Sequence, residues 1–509
     1  MMHLLPVYPV AGLILWAAVS ITLHRYPLAQ MAVTALALLS AWAVSLILLY
    51  TATFSGPIVL LVGNWPAPFG ITFVADRLSG LMTVTALTVS LCVWLYAAFS
   101  TAREATGQGF YPAMLAMIGG VCGAFLTGDL FNLYVWFEVL LMGSFVLIAL
   151  GGGRKQLEGA LKYVSVNLVS SALFLAGAGI LYGALGTLNM ADLAVKMHLQ
   201  GMPMLSSAVA ALFLCAFGIK AALFPFFFWL LAAYHTPPAA VNALFGALMT
   251  KVGVVAMIRV FTLIFNHETE VTHTLLLILA GVTIAVGALG AYGQWEIRRI
   301  FSFSIIGQIG YIIMGLALNT PLALAGALFF MIHNMIVKTA LLLTGGIAGK
   351  LMGTEDIRRC GGLYVGRPLL AYAYLLCALS LAGVPPLSGF FGKLALIRAG
   401  FDAGAWAVTA VAVAASFLSL GYGMKVWMYA FWGPLPAGIP DTAPGMRSPS
   451  VESSARGMIW AVAALIGLML LLSVGAGPLM RFCLATAEGL LDPREYLQAV
   501  LGQGGGALK

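Results

Sequence analysis

Apolar segments of about 20 residues follow one another along almost the whole chain, from His3 to Val474. A helix that rises 1.5 Å per residue needs about 20 such residues to cross the ~30 Å hydrocarbon layer of a bilayer. Hydrophobic residues make up 62% of the chain and charged residues only 8%, whereas a soluble domain carries about 25% charged residues. We therefore predict an all-α integral membrane protein with about fourteen transmembrane helices.

Hydropathy places these helices, and two of them contain a proline that interrupts the apolar run. The predicted spans lie near 4–22, 30–50, 72–98, 111–127, 129–150, 162–183, 206–231, 239–264, 273–292, 301–318, 321–346, 368–397, 404–432 and 457–475. Pro225 falls in the seventh span, and Pro385 and Pro386 fall in the twelfth. A proline inside a helix removes a backbone donor and breaks an intrahelical hydrogen bond. Broken helices at corresponding places in two halves are typical of transporters, so we predict two inverted five-helix repeats.

This organisation divides the chain into five predicted segments. They are N-terminal helices 1–3 (residues 1–110), a first antiporter-like repeat of helices 4–8 (111–264), a second, inverted repeat of helices 9–13 (265–432), a Pro-rich cytoplasmic linker (433–457), and the last helix with a surface tail (458–509).

Basic residues in the loops predict the orientation, because cytoplasmic loops carry an excess of Lys and Arg. On one side lie Arg25, Arg103, Arg154, Lys155, Arg298, Arg299, Lys350, Arg358, Arg359, Arg367, Arg447 and Arg456. On the other side lie Lys196, Arg259, Arg398, Arg481, Arg494 and Lys509. We predict that the first side is cytoplasmic and that both termini face outward. The net charge of +8 is scattered and forms no basic stripe, so it does not indicate nucleic-acid binding.

Five ionisable residues lie near the middle of predicted spans: Glu138, Lys220, Lys251, Lys338 and Lys393. Each costs about 2.5–3.5 kcal/mol at a helix centre, and together they cost about as much as the whole stability of a typical domain. Since only one is a carboxylate, most of the lysines have no partner of opposite charge in the membrane core. Burial disfavours the charged form of such a lysine, which can then release its proton. We predict that these lysines relay protons, in a transporter subunit and not an enzyme.

Two histidines are further candidates. His333 shares a span with Lys338, but a spacing of five residues places them about 140° apart on the helix, whereas Asn334 shares the face of Lys338. His333 could relay protons to a neighbouring helix or donate a structural hydrogen bond, and the sequence leaves both open. His235 lies in a loop, where a role in proton entry and a solvated histidine are the two alternatives.

The sequence predicts no cofactor and no metal site. Only His333 of the seven histidines lies well inside a span, so a haem would have no second axial ligand. The stretch 344–351 has Leu351 where a phosphate loop needs a Ser or Thr for magnesium. The six cysteines show no paired spacing and are predicted to be buried thiols. We also expect no sodium site within this chain, because its one mid-span carboxylate lies among lysines and Asp76 and Asp129 lie at span ends.

Several motifs resemble the D-type subunit of Mrp-type multisubunit Na⁺(K⁺)/H⁺ antiporters, in the superfamily shared with antiporter-like subunits of respiratory complex I and membrane-bound hydrogenases. They are the stretch 128–140 (GDLFNLYVWFEVL), Lys220 with Phe224 and Pro225, the loop 234–238 (YHTPP), the stretch 333–338 (HNMIVK), and the run 383–390 (GVPPLSGF) followed by Lys393. The chain departs from the family at Leu231, where Pro often follows Leu, and at Asn334, where a second histidine is common.

The resemblance implies roles for the same residues that the cost of burial singles out. Glu138 would modulate the protonation of Lys220 on the broken seventh helix, and Lys251 would be the connecting lysine of the eighth. His333 and Lys338 would form the central relay of the eleventh helix, and Lys393 would be the terminal lysine of the broken twelfth.

The resemblance also implies a function and a location. The chain would be the proton-translocating subunit of a monovalent cation/proton antiporter, held with other membrane subunits in the bacterial cytoplasmic (inner) membrane. The alternative is a proton-pumping antiporter-like subunit of NADH–quinone oxidoreductase or of a membrane-bound hydrogenase. Anion transport is disfavoured because an anion path gains nothing from the buried Glu138, and a purely structural scaffold is disfavoured by the cost of the buried charges.

Overall fold

The computed structural model describes residues 2–100, 109–266, 269–434 and 449–502. Within these ranges, twelve helices are long and apolar enough to cross a membrane. Two shorter apolar helices, Phe110–Leu126 and Pro368–Ala382, account for the remaining two of the fourteen predicted spans. The predicted all-α membrane fold is therefore confirmed. Arg103, Arg447, Lys509 and most of the predicted linker lie outside the described residues.

The helices are numbered here in chain order. Their bounds are α1 Leu13–Thr22, α2 Pro27–Phe54, α3 Arg77–Ser100, α4 Phe110–Leu126, α5 Leu130–Ala149, α6 Arg154–Leu185, α7 Met190–Gln200, α8 Pro203–Ala221, α9 Phe228–Tyr234, α10 Ala239–Leu263, α11 Thr269–Gly293, α12 Ile297–Leu318, α13 Pro321–Met352, α14 Leu363–Gly366, α15 Pro368–Ala382, α16 Ser388–Asp402, α17 Trp406–Val426, α18 Pro449–Val474, α19 Ala476–Leu491 and α20 Arg494–Leu501. Short 3₁₀ and π turns precede α1, and a π turn extends α17 to Trp432.

A small β-hairpin precedes α3. Strands β1 (Ile58–Leu61) and β2 (Thr72–Ala75) pair antiparallel, so the prediction that residues 72–75 belong to a helix is wrong. The β-branched and aromatic residues of β2 favour a strand once a partner strand is available. The helix begins only at Arg77, where Asp76 and Ser79 cap it reciprocally, each side chain accepting from the other's backbone N–H at 2.8 Å.

The centre of the bundle is formed by α10, α12 and α13. Every residue in the most apolar stretch of α10 and of α13 is buried by the rest of the protein, whereas only about a third is buried in α2 and α18. The outer helices therefore present their apolar surface to lipid, and the central helices are surrounded by protein. Lys251 on α10 and Lys338 on α13 thus lie in the protein interior, away from the acyl chains.

Both predicted helix breaks are confirmed. Helix α8 ends where Ala222 adopts a left-handed conformation (φ 58°), and the chain resumes as α9 six residues later. Helix α15 ends at Gly383 (φ 91°) before α16 begins. As the sequence suggests, Lys220 lies in the last turn before the first break, and Lys393 lies in the helix that follows the second.

Helices α19 and α20 form the described part of the tail, and they pack against the end of the bundle opposite the arginine-rich loops. Cys483 and Leu497 are buried, and Arg77 at the start of α3 donates to the carbonyl oxygen of Ala485 at 3.5 Å. At this end of the bundle the tail packs against α10 and α13, and it is hydrogen-bonded to the start of α3.

Candidate functional site

Glu138 and Lys220 are joined through a third residue, Ser171 on α6. The Ser171 hydroxyl donates to Glu138 Oε1 at 2.5 Å and accepts from Lys220 Nζ at 3.4 Å. Both charged residues lie in the described part of the chain, and they form no direct ion pair within 4.0 Å there. Ser171 therefore connects the carboxylate of α5 to the ammonium of α8.

The surroundings of Lys220 separate it from lipid. Its side chain is 5% exposed, and Nζ lies 4.8 Å from the centroid of the Phe137 ring. A cavity of about 10 Å³, enough for about one water, lies beside it and is also lined by Asn167 and Trp229. Glu138 is only half-buried on the surface of α5. The site therefore holds a buried lysine on one side and a carboxylate that reaches the protein surface on the other.

Lys251 lies in the middle of α10 and is fully buried. Its ammonium donates to the carbonyl oxygen of Gly246 on the same helix at 2.7 Å. On the same helix, Thr250 Oγ1 and Asn242 Oδ1 are buried and have no hydrogen-bond partner among the described residues. Buried polar atoms without a protein partner are the usual binding places of internal water. Thr250 precedes Lys251 directly in the chain, and Asn242 lies about 13 Å from it along α10, so both are candidate positions for internal water on this helix.

Lys338 is fully buried on α13 and donates to the hydroxyl of Ser304 on α12. The Ser304 hydroxyl is in turn hydrogen-bonded to the Tyr422 hydroxyl on α17 at 2.5 Å. Lys338 is close enough to Lys251 and to Lys393 to interact electrostatically with both. Helix α13 packs against both α10 and α16, so Lys338 lies on the helix between the two that carry Lys251 and Lys393.

Lys393 completes the series at the second helix break. Its ammonium donates to the carbonyl oxygen of Ala382, the last residue of α15, at 3.1 Å. The break frees this carbonyl, so Lys393 caps the helix that precedes it. The ammonium also lies 4.9 Å from the centroid of the Tyr311 ring. Among the described residues, a carbonyl dipole and an aromatic face stabilise this cation, and no carboxylate forms an ion pair with it.

His333 faces the second break. Its Nδ1 is hydrogen-bonded to the Ser388 hydroxyl at 2.9 Å, and Nε2 is buried without a partner among the described residues. A side chain at Gly389 would lie 1.9 Å from the carbonyl oxygen of Ser380 and 2.8 Å from His333 Nε2. A glycine is thus required for α16 to approach α15 and His333. The neighbouring Asn334 amide also has both polar atoms buried and unpartnered in the described region.

The remaining ionisable candidates lie at the periphery. Asp76 pairs with Arg259 at 2.5 Å, and Asp129 caps α5 by accepting from the Asn132 N–H at 2.8 Å. Burial raises the pKa of Asp129 to about 6, against the lowering effect of that hydrogen bond. Neither carboxylate is hydrogen-bonded or ion-paired to a mid-span lysine within the described residues. His235 is half-buried, with its ring hydrogen-bonded to the Leu231 carbonyl at 2.7 Å, and burial lowers its pKa.

Sequence reasoning missed the hydroxyl groups that connect the charged residues. On other helices, Glu138 is bonded by Ser171, Lys338 by Ser304 and His333 by Ser388. The Tyr422 hydroxyl bonds the hydroxyl of Ser304. Serine hydroxyls in helices commonly bond a carbonyl of their own helix, as Ser165 does at 2.9 Å. The sequence therefore offers no signal that separates the connecting hydroxyls from the ordinary ones.

The side chains that commonly bind metals lie apart from one another. Among the described residues, no group of three or more His, Cys, Asp and Glu side chains could hold a metal ion. All six cysteines are free thiols; five are buried and Cys215 is half-buried.

Comparison with known proteins agrees with this architecture. The model of the family described as "NADH:quinone oxidoreductase/Mrp antiporter" matches residues 127–419. The D-type subunit of the Na⁺/H⁺ antiporter of Alkalihalophilus pseudofirmus is 43% identical over 477 residues, which cover 93% of this chain and 94% of that protein. The D-type subunit of the Na⁺/H⁺ antiporter of Bacillus subtilis is 40% identical over 458 residues, covering 90% and 91%.

Two solved structures share the fold. A chain of the Mrp complex from Dietzia sp. DQ12-45-1b superposes with a TM-score of 0.88 at 32% identity, covering 98% of this chain and 99% of that one. A chain of respiratory complex I from Thermus thermophilus superposes with a TM-score of 0.78 at 24% identity, covering 99% and 100%; this likeness concerns the fold alone. The resemblance in the sequence motifs is thus confirmed over nearly the whole length of the chain. The chain belongs to the NADH:quinone oxidoreductase/Mrp antiporter family and is an antiporter-type membrane subunit.

Proposed function

We propose that this chain is the proton-translocating subunit of a multisubunit monovalent cation (Na⁺/K⁺)/proton antiporter. The observation that carries the proposal is the line of buried lysines without carboxylate partners in the membrane centre. Lys338 is within electrostatic range of both Lys251 and Lys393, and its helix packs between the helices that carry them. In a low-dielectric interior a charged Lys338 is repelled by a charged Lys251 and by a charged Lys393, so the three lysines would not all be charged at the same time. A lysine that alternates between charged and neutral forms can accept and release a proton.

Water would connect these lysines. The unpartnered atoms of Asn242, Thr250, Asn334 and His333 lie on the two central helices that carry Lys251 and Lys338. Each can bind a water molecule, and hydrogen-bonded water conducts protons between side chains that do not touch. The hydroxyl groups of Ser304 and Tyr422 extend the polar path from Lys338 towards α17.

The group of Glu138, Ser171 and Lys220 would control entry to this path. When Glu138 is charged it favours the protonated form of Lys220, and when Glu138 is neutralised Lys220 gives up its proton more readily. Since Glu138 is half-buried at the surface of α5, a neighbouring subunit could change its charge. In this proposal His333 relays protons between Lys338 and Lys393, which fits its unpartnered Nε2.

The assembly and orientation belong to the same proposal. The chain would lie in the bacterial cytoplasmic membrane with other membrane subunits, its arginine-rich loops inside and both termini outside. The segments 111–264 and 265–432 would act as the two inverted repeats. A redox-driven proton pump has the same fold, but the relatives with 40–43% identity are antiporter subunits, which favours antiport.

Reconstitution tests this function. The whole complex and the isolated chain would be placed in proteoliposomes, and internal pH and sodium-22 would be followed together. We expect coupled exchange only from the complex, and its loss when Lys251 is replaced by Ala in a correctly assembled complex. Sodium–proton exchange that persists without Lys251 would contradict the lysine relay, and exchange from the isolated chain would contradict the expectation that the cation path lies elsewhere.

A further inference from the structure

A second feature of the molecule lies at the arginine-rich end of α1, α4 and α5. These helices leave a groove of about 500 Å³ between them. The groove is lined by Ala17 and Ile21 of α1, Ala113 and Ala116 of α4, and Gly143 and Val146 of α5. Small residues on three helices leave room for an alkyl chain, but small residues alone do not identify what fills it.

A buried polar atom in the groove points to a ligand. Gln30, in the first turn of α2, lines the groove and is 1% exposed. Its Nε2 donates to the carbonyl oxygen of Ser20 at 2.9 Å, which fixes the orientation of the amide. Its Oε1 has no partner among the described residues. A buried acceptor without a donor is costly, so the occupant of the groove should supply an O–H or N–H at this depth.

The dimensions of the groove distinguish a lipid from a protein helix. From Ala17 to His24, and equally from Gly109 to Ala116, the lining covers eight residues, whose seven steps rise about 10 Å along a helix. A partner helix that spans the membrane would follow the surface through the full ~30 Å of hydrocarbon. A lipid that inserts its upper acyl chain from the headgroup level needs only the shorter groove.

The charge at the mouth of the groove is positive. His24 lines the groove just after α1 ends, and the adjacent Arg25 is exposed. Arg154 and Lys155 begin α6 at the same end of the bundle, one short loop after Val146 and the end of α5. Basic residues at the membrane surface attract anionic headgroups, each by about fivefold in affinity.

We propose that this groove binds one anionic phospholipid with a hydroxyl-bearing headgroup, such as phosphatidylglycerol. One acyl chain lies between α1, α4 and α5, the phosphate lies beside His24 and Arg25, and a headgroup or glycerol hydroxyl donates to Gln30 Oε1. This site does not depend on the proton path, and it would anchor α1 and α4 to the helix that carries Glu138.

Native mass spectrometry of the purified complex, supplied with equal amounts of phosphatidylglycerol and phosphatidylcholine, tests the proposal. We expect one phosphatidylglycerol retained per chain. Ala116→Trp fills the groove and should abolish this retention, whereas Ala172→Trp, the same substitution at an exposed position of α6, should leave it unchanged. Arg25→Gln, on the protein surface and so harmless to folding, should weaken the retention of phosphatidylglycerol about fivefold while phosphatidylcholine stays unaffected.

Three results would overturn the proposal. The first is unchanged phosphatidylglycerol retention in Ala116→Trp, and the second is equal retention of both lipids by the unmodified protein. The third comes from a photo-crosslinker at Met142, which lines the groove and is 64% exposed. Attachment to lipid supports the proposal, whereas attachment to another protein of the complex would show that a partner helix occupies the groove.

Discussion

Removal of the Ser171 hydroxyl is the smallest change that tests how Glu138 acts on Lys220. Ser171→Ala removes a hydroxyl that bonds both, at 2.5 Å to the carboxylate and 3.4 Å to the ammonium. A hydrogen bond to a charged group contributes about 1.5–3 kcal/mol, and 1.4 kcal/mol is about tenfold in an equilibrium constant. We therefore expect the coupling between the two residues to weaken by about ten- to a hundredfold. Proton uptake by inverted vesicles that contain the assembled complex should fall accordingly.

The control is Ser165→Ala on the same helix. This exposed hydroxyl bonds only the carbonyl oxygen of Leu161, so its loss should leave transport unchanged. A double-mutant cycle with Glu138→Ala separates coupling from damage to the fold, because the double variant should be no worse than Glu138→Ala alone. Full transport by Ser171→Ala, or additive losses in the double variant, would refute the idea that Ser171 connects the pair.

Three further predictions concern single positions. Glu138→Ala should strongly reduce antiport, and Glu138→Asp should reduce it less, since Asp keeps the negative charge. Equal activity of the two variants in assembled complexes would argue against a role for this charge. Lys251→Arg should fail to transport, like Lys251→Ala, because a guanidinium does not release its proton. The control Lys162→Ala removes only an exposed surface ion pair and should transport normally. An active Lys251→Arg variant would exclude proton transfer through this residue. Gly389→Ala should lower thermal stability or assembly, because its Cβ would lie 1.9 Å from a backbone carbonyl oxygen. The control Gly467→Ala, whose Cβ would have no atom within 4 Å, should not. A stable Gly389→Ala protein would mean that the helix break can rearrange.

The number and position of the membrane helices could be predicted from the sequence alone. Each span must bury about 20 apolar residues in a layer of fixed thickness, so the signal is local and repeated along the chain. The mid-span ionisable residues stand out for the same reason, because charge is expensive in that layer. The breaks at Pro225 and Pro385 were predictable because proline acts on its own helix. Hydropathy misplaced residues 72–75, since a strand depends on a partner strand that the local pattern does not reveal.

Only the tertiary structure decided which groups meet. Ser171 joins Glu138 and Lys220 from positions 33 and 49 residues away, and Ser304 meets Lys338 across 34 residues. The order of Lys251, Lys338 and Lys393 across three helices, like the pairing of Asp76 with Arg259 across 183 residues, depends on how the helices pack. Hydropathy records how deep a residue lies in the membrane but not which helix faces it, because every apolar surface gains equally from lipid and from protein. Which helices pack against each other is determined by close approaches at glycines and by hydrogen bonds between helices.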